Sequence, residues 1–261
     1  MSPGPLAIQS LFSVAGKTAV ITGGSRGIGE MIARAYVANG AHVILTARKA
    51  AELEALAAEL GPAATPIPAD LSQMAEIDRL AAEIGTLAPR LDILVNNAGA
   101  SWGAPFDSFP ELGWDKVMDL NLKAVFFLTQ RLAPLLEAAG TPQEMARVIN
   151  IGSIDGQHVS PIESYSYAAS KAGVLHLTRM MAKYLAPRNI AVNAIAPGYF
   201  PSKMTAGIAD RIDEVALRAT PMARWGTTED MAGVALFLAS RASAYLCGSV
   251  VTVDGGYATT A

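Results

Sequence analysis

Three polar side chains in the second half of the chain are of types and at spacings that could move a proton. Tyr167 and Lys171 are four residues apart, so a helix would place them side by side on one face. A phenol has an unperturbed pKa of about 10, and a nearby ammonium favours its ionised form, which predicts a pKa closer to neutrality. Ser153 lies fourteen residues before Tyr167 and could hold a carbonyl oxygen against the phenol. The three residues predict an acid–base site that acts on an oxygen; the alternative is a solvated lysine beside a half-buried ring.

A glycine-rich turn near the start of the chain predicts a phosphate-binding site. Residues 22–29 read Thr-Gly-Gly-Ser-Arg-Gly-Ile-Gly and lie between an apolar run and a helical pattern. Glycines permit a tight turn there, and the backbone N–H groups at a helix N-terminus attract a pyrophosphate. We therefore expect this turn to contact a dinucleotide through Gly23, Ser25, Arg26, Gly27, Ile28 and Gly29.

The residues that follow the second predicted strand indicate which dinucleotide would bind. Sites for NAD have Asp or Glu at this point to bind the ribose diol, whereas residues 46–49 here read Thr-Ala-Arg-Lys. Arg48 and Arg26 could straddle a 2′-phosphate, although both could equally be solvated surface arginines. The pattern favours NADP(H) over NAD(H). Asp70, at the next strand end, could bind the adenine amine or cap a helix, a role that Ser72 is also expected to fill.

Short apolar runs alternate with amphipathic stretches along the chain. Seven runs are expected to form strands, at residues 18–22, 41–47, 65–69, 91–95, 146–151, 190–195 and 249–253. Helical patterns lie between them, at residues 27–39, 50–60, 72–84, 112–136, 165–185 and 229–239. Strands that are apolar throughout are typical of parallel sheets covered on both faces.

This alternation predicts an α/β fold. We expect a single Rossmann-like, doubly wound domain over residues 1–261, with a seven-stranded parallel sheet and helices on both faces. The prolines within residues 65–69 suit an edge strand. Residues 1–12 are expected to form a loose N-terminal arm, and residues 199–223, after a strand end, a substrate lid.

Composition excludes several classes of function. The chain has 261 residues, of which 51% are hydrophobic, and a formal net charge of −3 without a Lys/Arg-rich run, so we expect no nucleic-acid partner. No apolar run approaches the ~18 residues that span a bilayer, and no basic start precedes an apolar run; a cytoplasmic protein is expected. Cys247 is the only cysteine and is expected in the core. The three histidines lack ligand spacing, so no metal site is expected.

Taken together, these motifs resemble the short-chain dehydrogenase/reductase superfamily from about residue 16 to residue 257. In chain order the motifs are residues 22–29, Asp70-Leu71, Asn96-Asn97-Ala98-Gly99, Asn121, Ser153, Tyr167, Lys171, Pro197-Gly198 and Val253-Asp254-Gly255-Gly256. Residues 91–102, 146–152 and 197–205 are most similar to bacterial 3-oxoacyl-(acyl carrier protein) reductases, including the branch with the rhamnolipid-pathway enzyme.

The resemblance implies a role for each matching residue. Tyr167 would be the general acid in ketone reduction, and Lys171 would bind the nicotinamide ribose and lower the pKa of the tyrosine. Ser153 would hold the substrate carbonyl, and Asn121 would hold a water linked to Lys171. Besides the glycine turn and Arg48, cofactor contacts would come from Asp70, Leu71, Asn97, Ala98, Gly99, Tyr167, Lys171, Pro197, Gly198, Phe200 and Ser202.

The expected activity is NADPH-dependent reduction of a ketone, with a 3-oxoacyl thioester on acyl carrier protein or coenzyme A as the leading substrate. One alternative is a dehydrogenase or reductase of a secondary alcohol, steroid or sugar. Another is an inactive nucleotide-sensing regulator, although such proteins usually lose the tyrosine, lysine or serine. The resemblance also implies a homotetramer formed through residues 112–136, residues 165–185 and the last strand. Further candidates for substrate contact are Trp102, Gln157, His158 and Tyr199.

Overall fold

The computed structural model describes residues 4–202 and 219–260. Its strands are β1 (Thr18–Thr22), β2 (His42–Thr46), β3 (Ala64–Pro66), β4 (Ile93–Asn96), β5 (Ala146–Ile151), β6 (Ile190–Pro197) and β7 (Val250–Val253). They form one seven-stranded sheet in the order β3-β2-β1-β4-β5-β6-β7, and each neighbouring pair is parallel. The edge position predicted for the proline-containing third strand is therefore confirmed.

The helices of the described residues connect these strands. They are α1 (Ile8–Leu11), α2 (Gly27–Ala38), α3 (Ala50–Leu60), α4 (Met74–Leu87), α5 (Glu111–Met118), α6 (Ala124–Ala139), α7 (Tyr165–Leu185) and α8 (Thr228–Ala239). A π-helical turn, Asp119–Lys123, joins α5 to α6. The helix predicted at residues 112–136 is therefore interrupted, and α1 lies within the predicted N-terminal arm.

The helices cover both faces of the sheet because successive side chains on each strand point in opposite directions. Val20 belongs to a buried cluster with Leu80 of α4 and Leu132 of α6. Its neighbour Ile21 belongs to a second cluster, on the other face, with Ile32 of α2. β1 thus contributes apolar side chains to both faces of the sheet, as is typical of strands in parallel sheets. The predicted doubly wound, Rossmann-like domain is confirmed.

Two local predictions were wrong. Ser72 does not cap α4, because its hydroxyl donates to Asp70 Oδ1 at 2.9 Å and the helix begins two residues later without a side-chain cap. Cys247 is exposed rather than buried in the core, and its thiol lies 3.8 Å from the carbonyl of Ala182.

No helix of the described ranges, 4–202 and 219–260, is long and apolar enough to cross a membrane. Residues 203–218 of the predicted lid lie outside the described residues, as do residues 1–3 of the predicted arm.

Candidate active site

A cleft opens at the carboxyl ends of the strands, where the direction of strand order reverses between β1 and β4. Crevices at such reversal points are the usual ligand sites of doubly wound sheets. Most of the predicted cofactor residues line this cleft, namely Gly23, Ser25, Arg26, Gly27, Ile28, Arg48, Leu71, Asn97, Ala98, Gly99, Tyr167, Lys171, Pro197, Gly198, Phe200 and Ser202. Ser153 lines it as well. Within the described residues, Gly29, Asp70 and Asn121 are the predicted site residues that lie outside its wall.

The glycine turn is fixed to the loop after β4. Asn97 Nδ2 donates to the carbonyl oxygens of Thr22 at 2.8 Å and Gly23 at 3.2 Å. In return, Thr22 Oγ1 accepts from the backbone N–H groups of Asn97 and Ala98, both at 2.9 Å. Sequence reasoning gave Thr22 no role in the site beyond ending the first strand. The turn is thus held in place from both sides, and the amides that face the cleft are pre-positioned for an anion.

Gly29 supports this turn from behind. A Cβ at this position would lie 2.3 Å from Gly23 O and 2.5 Å from Asn97 Nδ2, closer than any side chain can approach. The third glycine of the motif is therefore needed for close packing of α2 against the turn. Gly23 and Gly27 have φ values of 63° and 56°. These values lie in the left-handed region, where glycine is favoured because it has no Cβ. Gly27 begins α2, so the helix dipole points its positive end into the cleft.

Three cations surround the end of the cleft next to β2. Arg26, Arg48 and Lys49 all line it, together with Glu52. Glu52 lies 3.2 Å from Arg26 Nη1 and 3.0 Å from Lys49 Nζ. Sequence reasoning identified Arg26 and Arg48 but missed Lys49 and Glu52, although both follow Arg48 within four residues. The local charge is positive, which suits a phosphate better than an uncharged ribose diol.

One predicted cofactor contact, Asp70, and one further motif residue, Asn96, have polar partners within the protein. Asp70 Oδ1 accepts from the backbone N–H of Ser72 at 3.1 Å and from its hydroxyl, so the carboxylate stabilises its own loop. Asn96, which follows the fourth predicted strand, is buried and donates to Thr129 Oγ1 at 3.0 Å and to Asn150 Oδ1 at 2.9 Å. Its amide ties β4 to β5 and α6. Ala69 and Leu71, either side of Asp70, line the cleft instead.

Ser153, Tyr167 and Lys171 come together at the opposite end of the cleft. Ser153 follows β5 and precedes a 3₁₀ turn, Ile154–Gly156, where its Oγ accepts the backbone N–H of Asp155 at 3.2 Å. Tyr167 is in the first turn of α7, and Lys171 follows one turn later. Lys171 Nζ donates to Ile151 O at 2.7 Å and lies 5.6 Å from the centre of the Tyr167 ring. The helix spacing expected from the sequence thus produces the predicted juxtaposition.

Burial controls the protonation of this group. It raises the pKa of Tyr167 to about 12, and a hydrogen bond with the Ser153 hydroxyl lowers this pKa by a smaller amount. Burial also lowers the pKa of Lys171 to about 8. The pKa near neutrality expected for Tyr167 is therefore not met, because burial disfavours the ionised phenol more strongly than the hydrogen bond with Ser153 favours it. A phenol with this pKa keeps its proton at neutral pH, as a proton donor must.

Asn121 positions the elements around this group rather than facing the cleft. It is buried in the π-helical turn, and its amide both donates to and accepts from the backbone of Ala100, at 2.9 and 2.8 Å. Its Nδ2 also donates to Ser170 Oγ at 3.0 Å, and Ser170 Oγ donates to Tyr167 O at 2.8 Å. Both amide protons are therefore engaged. The sequence could not show that Asn121 lies in a π-helical turn with these contacts, since such turns leave no periodicity signal.

The far wall of the cleft follows β6. Gly198 packs so closely on the backbone of Asp254 that a Cβ would lie 2.7 Å from its Cα. Phe200 is buried, and its ring packs on Gly226, where a Cβ would lie 2.4 Å away. Of the further candidates, Trp102 packs on Gly113 and the Gln157 amide accepts from Thr252 Oγ1. Tyr199 lines a second cavity, on the far side of Phe200.

The chain is similar to known proteins over almost its whole length. Residues 23–258 match the family model described as enoyl-(acyl carrier protein) reductase. The 3-oxoacyl-(acyl carrier protein) reductase of rhamnolipid biosynthesis from Pseudomonas aeruginosa is 49% identical over 252 residues, which cover 94% of this chain and 98% of that protein. Gluconate 5-dehydrogenase from Gluconobacter oxydans is 36% identical, over 94% of this chain and 96% of that protein.

Among solved structures, the Pseudomonas aeruginosa RhlG/NADP active-site complex matches with a TM-score of 0.92 and 48% sequence identity. The match covers 95% of this chain and 98% of that one. The similarity thus extends over the sheet, the glycine turn and the segment that carries Ser153, Tyr167 and Lys171.

Proposed function

This chain belongs to the short-chain dehydrogenase/reductase family of oxidoreductases, and on that premise we propose that it reduces a ketone to a secondary alcohol with NADPH. The observation that carries the proposal is the placement of Ser153, Tyr167 and Lys171 at one end of a cleft whose other end is lined by glycines and cationic side chains. A dinucleotide seated along this cleft would bring its nicotinamide to the acid–base group. NADPH bound there would supply the hydride.

The side chains of this chain would handle the proton and the carbonyl oxygen. Ser153 is placed to donate to the substrate oxygen, because its Oγ accepts from Asp155 N and this bond does not use its own hydroxyl proton. Tyr167 would give its proton to the same oxygen as negative charge develops on it. Lys171, held by Ile151 O, would stabilise the resulting phenolate and bind the nicotinamide ribose. Asn121 would hold α7 and the loop after β4 in fixed positions relative to each other.

For the substrate we propose a 3-oxoacyl thioester, carried by acyl carrier protein or coenzyme A. Support comes from the Pseudomonas aeruginosa relative, which is named for that reaction. A sugar or sugar-acid dehydrogenase is the second candidate, because gluconate 5-dehydrogenase and galactitol 2-dehydrogenase are 36% and 38% identical over nearly the whole chain.

A substrate panel tests this proposal. We expect NADPH oxidation with acetoacetyl-coenzyme A, and at least tenfold lower kcat/KM with 5-ketogluconate and with a steroid ketone. A preference for 5-ketogluconate would favour the second candidate. A protein that binds NADPH and oxidises it with none of these ketones would instead fit a nucleotide-sensing regulator.

The cofactor preference depends on Arg48 in this proposal. We expect Arg48→Asp to raise KM for NADPH at least ~10-fold and to lower KM for NADH, because a carboxylate repels a 2′-phosphate and binds a ribose diol. The matched control is Arg90→Asp, which makes the same charge change just before β4, at the sheet end away from the cleft, and should leave the preference unchanged. An unaltered NADPH-to-NADH ratio in Arg48→Asp would show that this guanidinium does not bind the phosphate.

The rate should depend on pH through Lys171. Because burial lowers the pKa of this ammonium to about 8, kcat/KM for ketone reduction should fall as pH rises above about 8, with the loss of one proton. Tyr167, with its pKa raised to about 12, should remain a proton donor across this range. Lys171→Arg, if active, should lack the alkaline limb because a guanidinium keeps its proton. A wild-type profile that stays flat from pH 7 to 9.5 would contradict this assignment.

We also propose a homotetramer. Large apolar side chains are exposed along α5, α6 and α7, the segments expected to form subunit contacts, and these are Leu112, Trp114, Phe126, Met180 and Tyr184. Exposed apolar surface of this kind is typical of interfaces. Size-exclusion chromatography with light scattering should give four times the chain mass; a monomer would exclude the assembly.

The cytoplasmic location remains a prediction.

A further inference from the structure

The cationic end of the cleft contains a carboxylate that has no part in the mechanism above. Glu52 lines this end together with Arg26, Arg48 and Lys49. Its Oε2 accepts from Arg26 Nη1 at 3.2 Å, and its Oε1 accepts from Lys49 Nζ at 3.0 Å. Each carboxylate oxygen therefore binds a different cation, one at the start of α2 and one at the start of α3.

The start of α3 positions this carboxylate. Glu52 belongs to the first turn of the helix, where the helix dipole favours a negative charge. Lys49 is three residues earlier, a spacing that places the two side chains next to each other. The Glu52 side chain is 32% exposed, against 64% for that of Lys49. The carboxylate is thus the more enclosed member of the pair and lies between the two cations.

Arg48 differs from the other two cations of this end. Its side chain is exposed, and it makes no ion pair with any residue of the ranges 4–202 and 219–260. A 2′-phosphate can therefore bind the Arg48 guanidinium without displacing a protein group. At Arg26 and Lys49 the same phosphate has to compete with Glu52, because phosphate and carboxylate oxygens accept from the same cationic N–H donors.

We propose that Glu52 is a specificity-determining residue that limits the preference of this cleft for NADPH over NADH. The carboxylate competes with a 2′-phosphate for two cations, and the two anions repel each other at short range. NADH has no 2′-phosphate and leaves both ion pairs of Glu52 intact. Specificity is a difference between two affinities, and a repulsive element of this kind lowers only one of them. The inference rests on the proposed use of NADPH in this cleft and deepens it.

The test is a pair of fluorescence titrations, with NADPH and with NADH, on the wild-type protein and on Glu52→Gln at low salt. Glutamine keeps the size of the side chain and removes its charge. We expect the Kd for NADPH to fall about fivefold and the Kd for NADH to stay within about twofold, which is the scale of one or two exposed ion pairs. The difference should shrink at about 0.5 M salt, because exposed charges are screened there.

Lys49→Gln tests whether Glu52 acts through the cation that it binds. This variant should weaken NADPH binding about threefold, because a contact to the phosphate is lost. In the Lys49→Gln background, the gain from Glu52→Gln should be smaller than in the wild-type protein, since residues in contact have non-additive effects. Equal gains in the two backgrounds would contradict competition at Lys49.

The matched control is Glu59→Gln, which removes an equal charge from the same helix. Glu59 is paired with Arg34 at 2.7 Å and lies outside the wall of the cleft, so both Kd values should stay at the wild-type level. An unaltered ratio of the two Kd values in Glu52→Gln would overturn the inference, as would an equal change in Glu59→Gln. A wild-type protein that binds neither dinucleotide would instead contradict the proposed function, which is a different result from an unaltered ratio.

Discussion

Replacing Tyr167 with phenylalanine is expected to lower kcat for ketone reduction about 10³-fold while leaving NADPH affinity within about threefold of the wild-type value. The variant keeps the partly buried ring and its packing and removes the hydroxyl alone, so it removes the proton donor without opening a cavity. General acids of this kind contribute about 10²–10⁴-fold to a rate. Single-turnover kinetics gives the loss in the chemical step, and a fluorescence titration with NADPH gives the affinity.

Tyr165 provides the matched control for this variant. It lies two residues earlier on α7, and its hydroxyl is hydrogen-bonded to Glu163 at 2.7 Å on the protein surface. Tyr165→Phe should therefore keep kcat within about twofold. Normal turnover in Tyr167→Phe together with a large loss in Tyr165→Phe would contradict our account, because it would identify Tyr165 as the proton donor.

A second large effect is expected at Gly29. The Cβ introduced by Gly29→Ala would lie 2.3 Å from Gly23 O, so the turn that faces the cleft must move. Because overpacking costs about 1–3 kcal/mol and the contact here is with backbone, we expect a loss of about 3 kcal/mol in the free energy of unfolding. NADPH affinity should fall at least ~100-fold, since several amides of the turn would lose their alignment together.

Gly233 is the control for this substitution. It lies within α8, is exposed, and a Cβ there would have no neighbour within 4 Å. Gly233→Ala should raise the free energy of unfolding by about 0.5–1 kcal/mol, the ordinary gain of alanine over glycine in a helix. Denaturant unfolding and an NADPH titration on both variants make the comparison. Equal behaviour of the two variants would show that the tight packing behind the turn is unimportant.

The fold was predictable because its signals are repeated along the chain. The buried strands, such as Ile190–Pro197, are largely apolar along their whole length, and this pattern is typical of parallel sheets covered on both sides. The helix pattern at Tyr165–Leu185 placed Tyr167 and Lys171 on one face without any knowledge of the tertiary structure. The π-helical turn at Asp119–Lys123, which interrupts the predicted 112–136 helix, was not predictable. The residue types in such a turn do not differ from those of the α-helix around it.

Details of the site depend on tertiary contacts that residue types do not specify. Asp70 remains a predicted cofactor contact, and the sequence could not show that Ser72 engages its Oδ1. The role of Asn121 in holding a water stays a prediction, and the sequence could not show that its side-chain amide binds Ala100 and Ser170. The raised pKa of Tyr167 likewise reflects burial, which sequence spacing cannot measure.

The central claim is that a hydride passes from NADPH to a carbonyl carbon at the site formed by Ser153, Tyr167 and Lys171. The most direct measurement follows deuterium from NADPH labelled at nicotinamide C4 into the product of acetoacetyl-coenzyme A reduction, by mass spectrometry. Our account predicts that label at only one of the two C4 faces is transferred, with one deuterium on the 3-hydroxy carbon for each labelled NADPH oxidised, and that Tyr167→Phe transfers it about 10³-fold more slowly. Oxidation of NADPH without deuterium in the product, or no oxidation with any ketone, would contradict it.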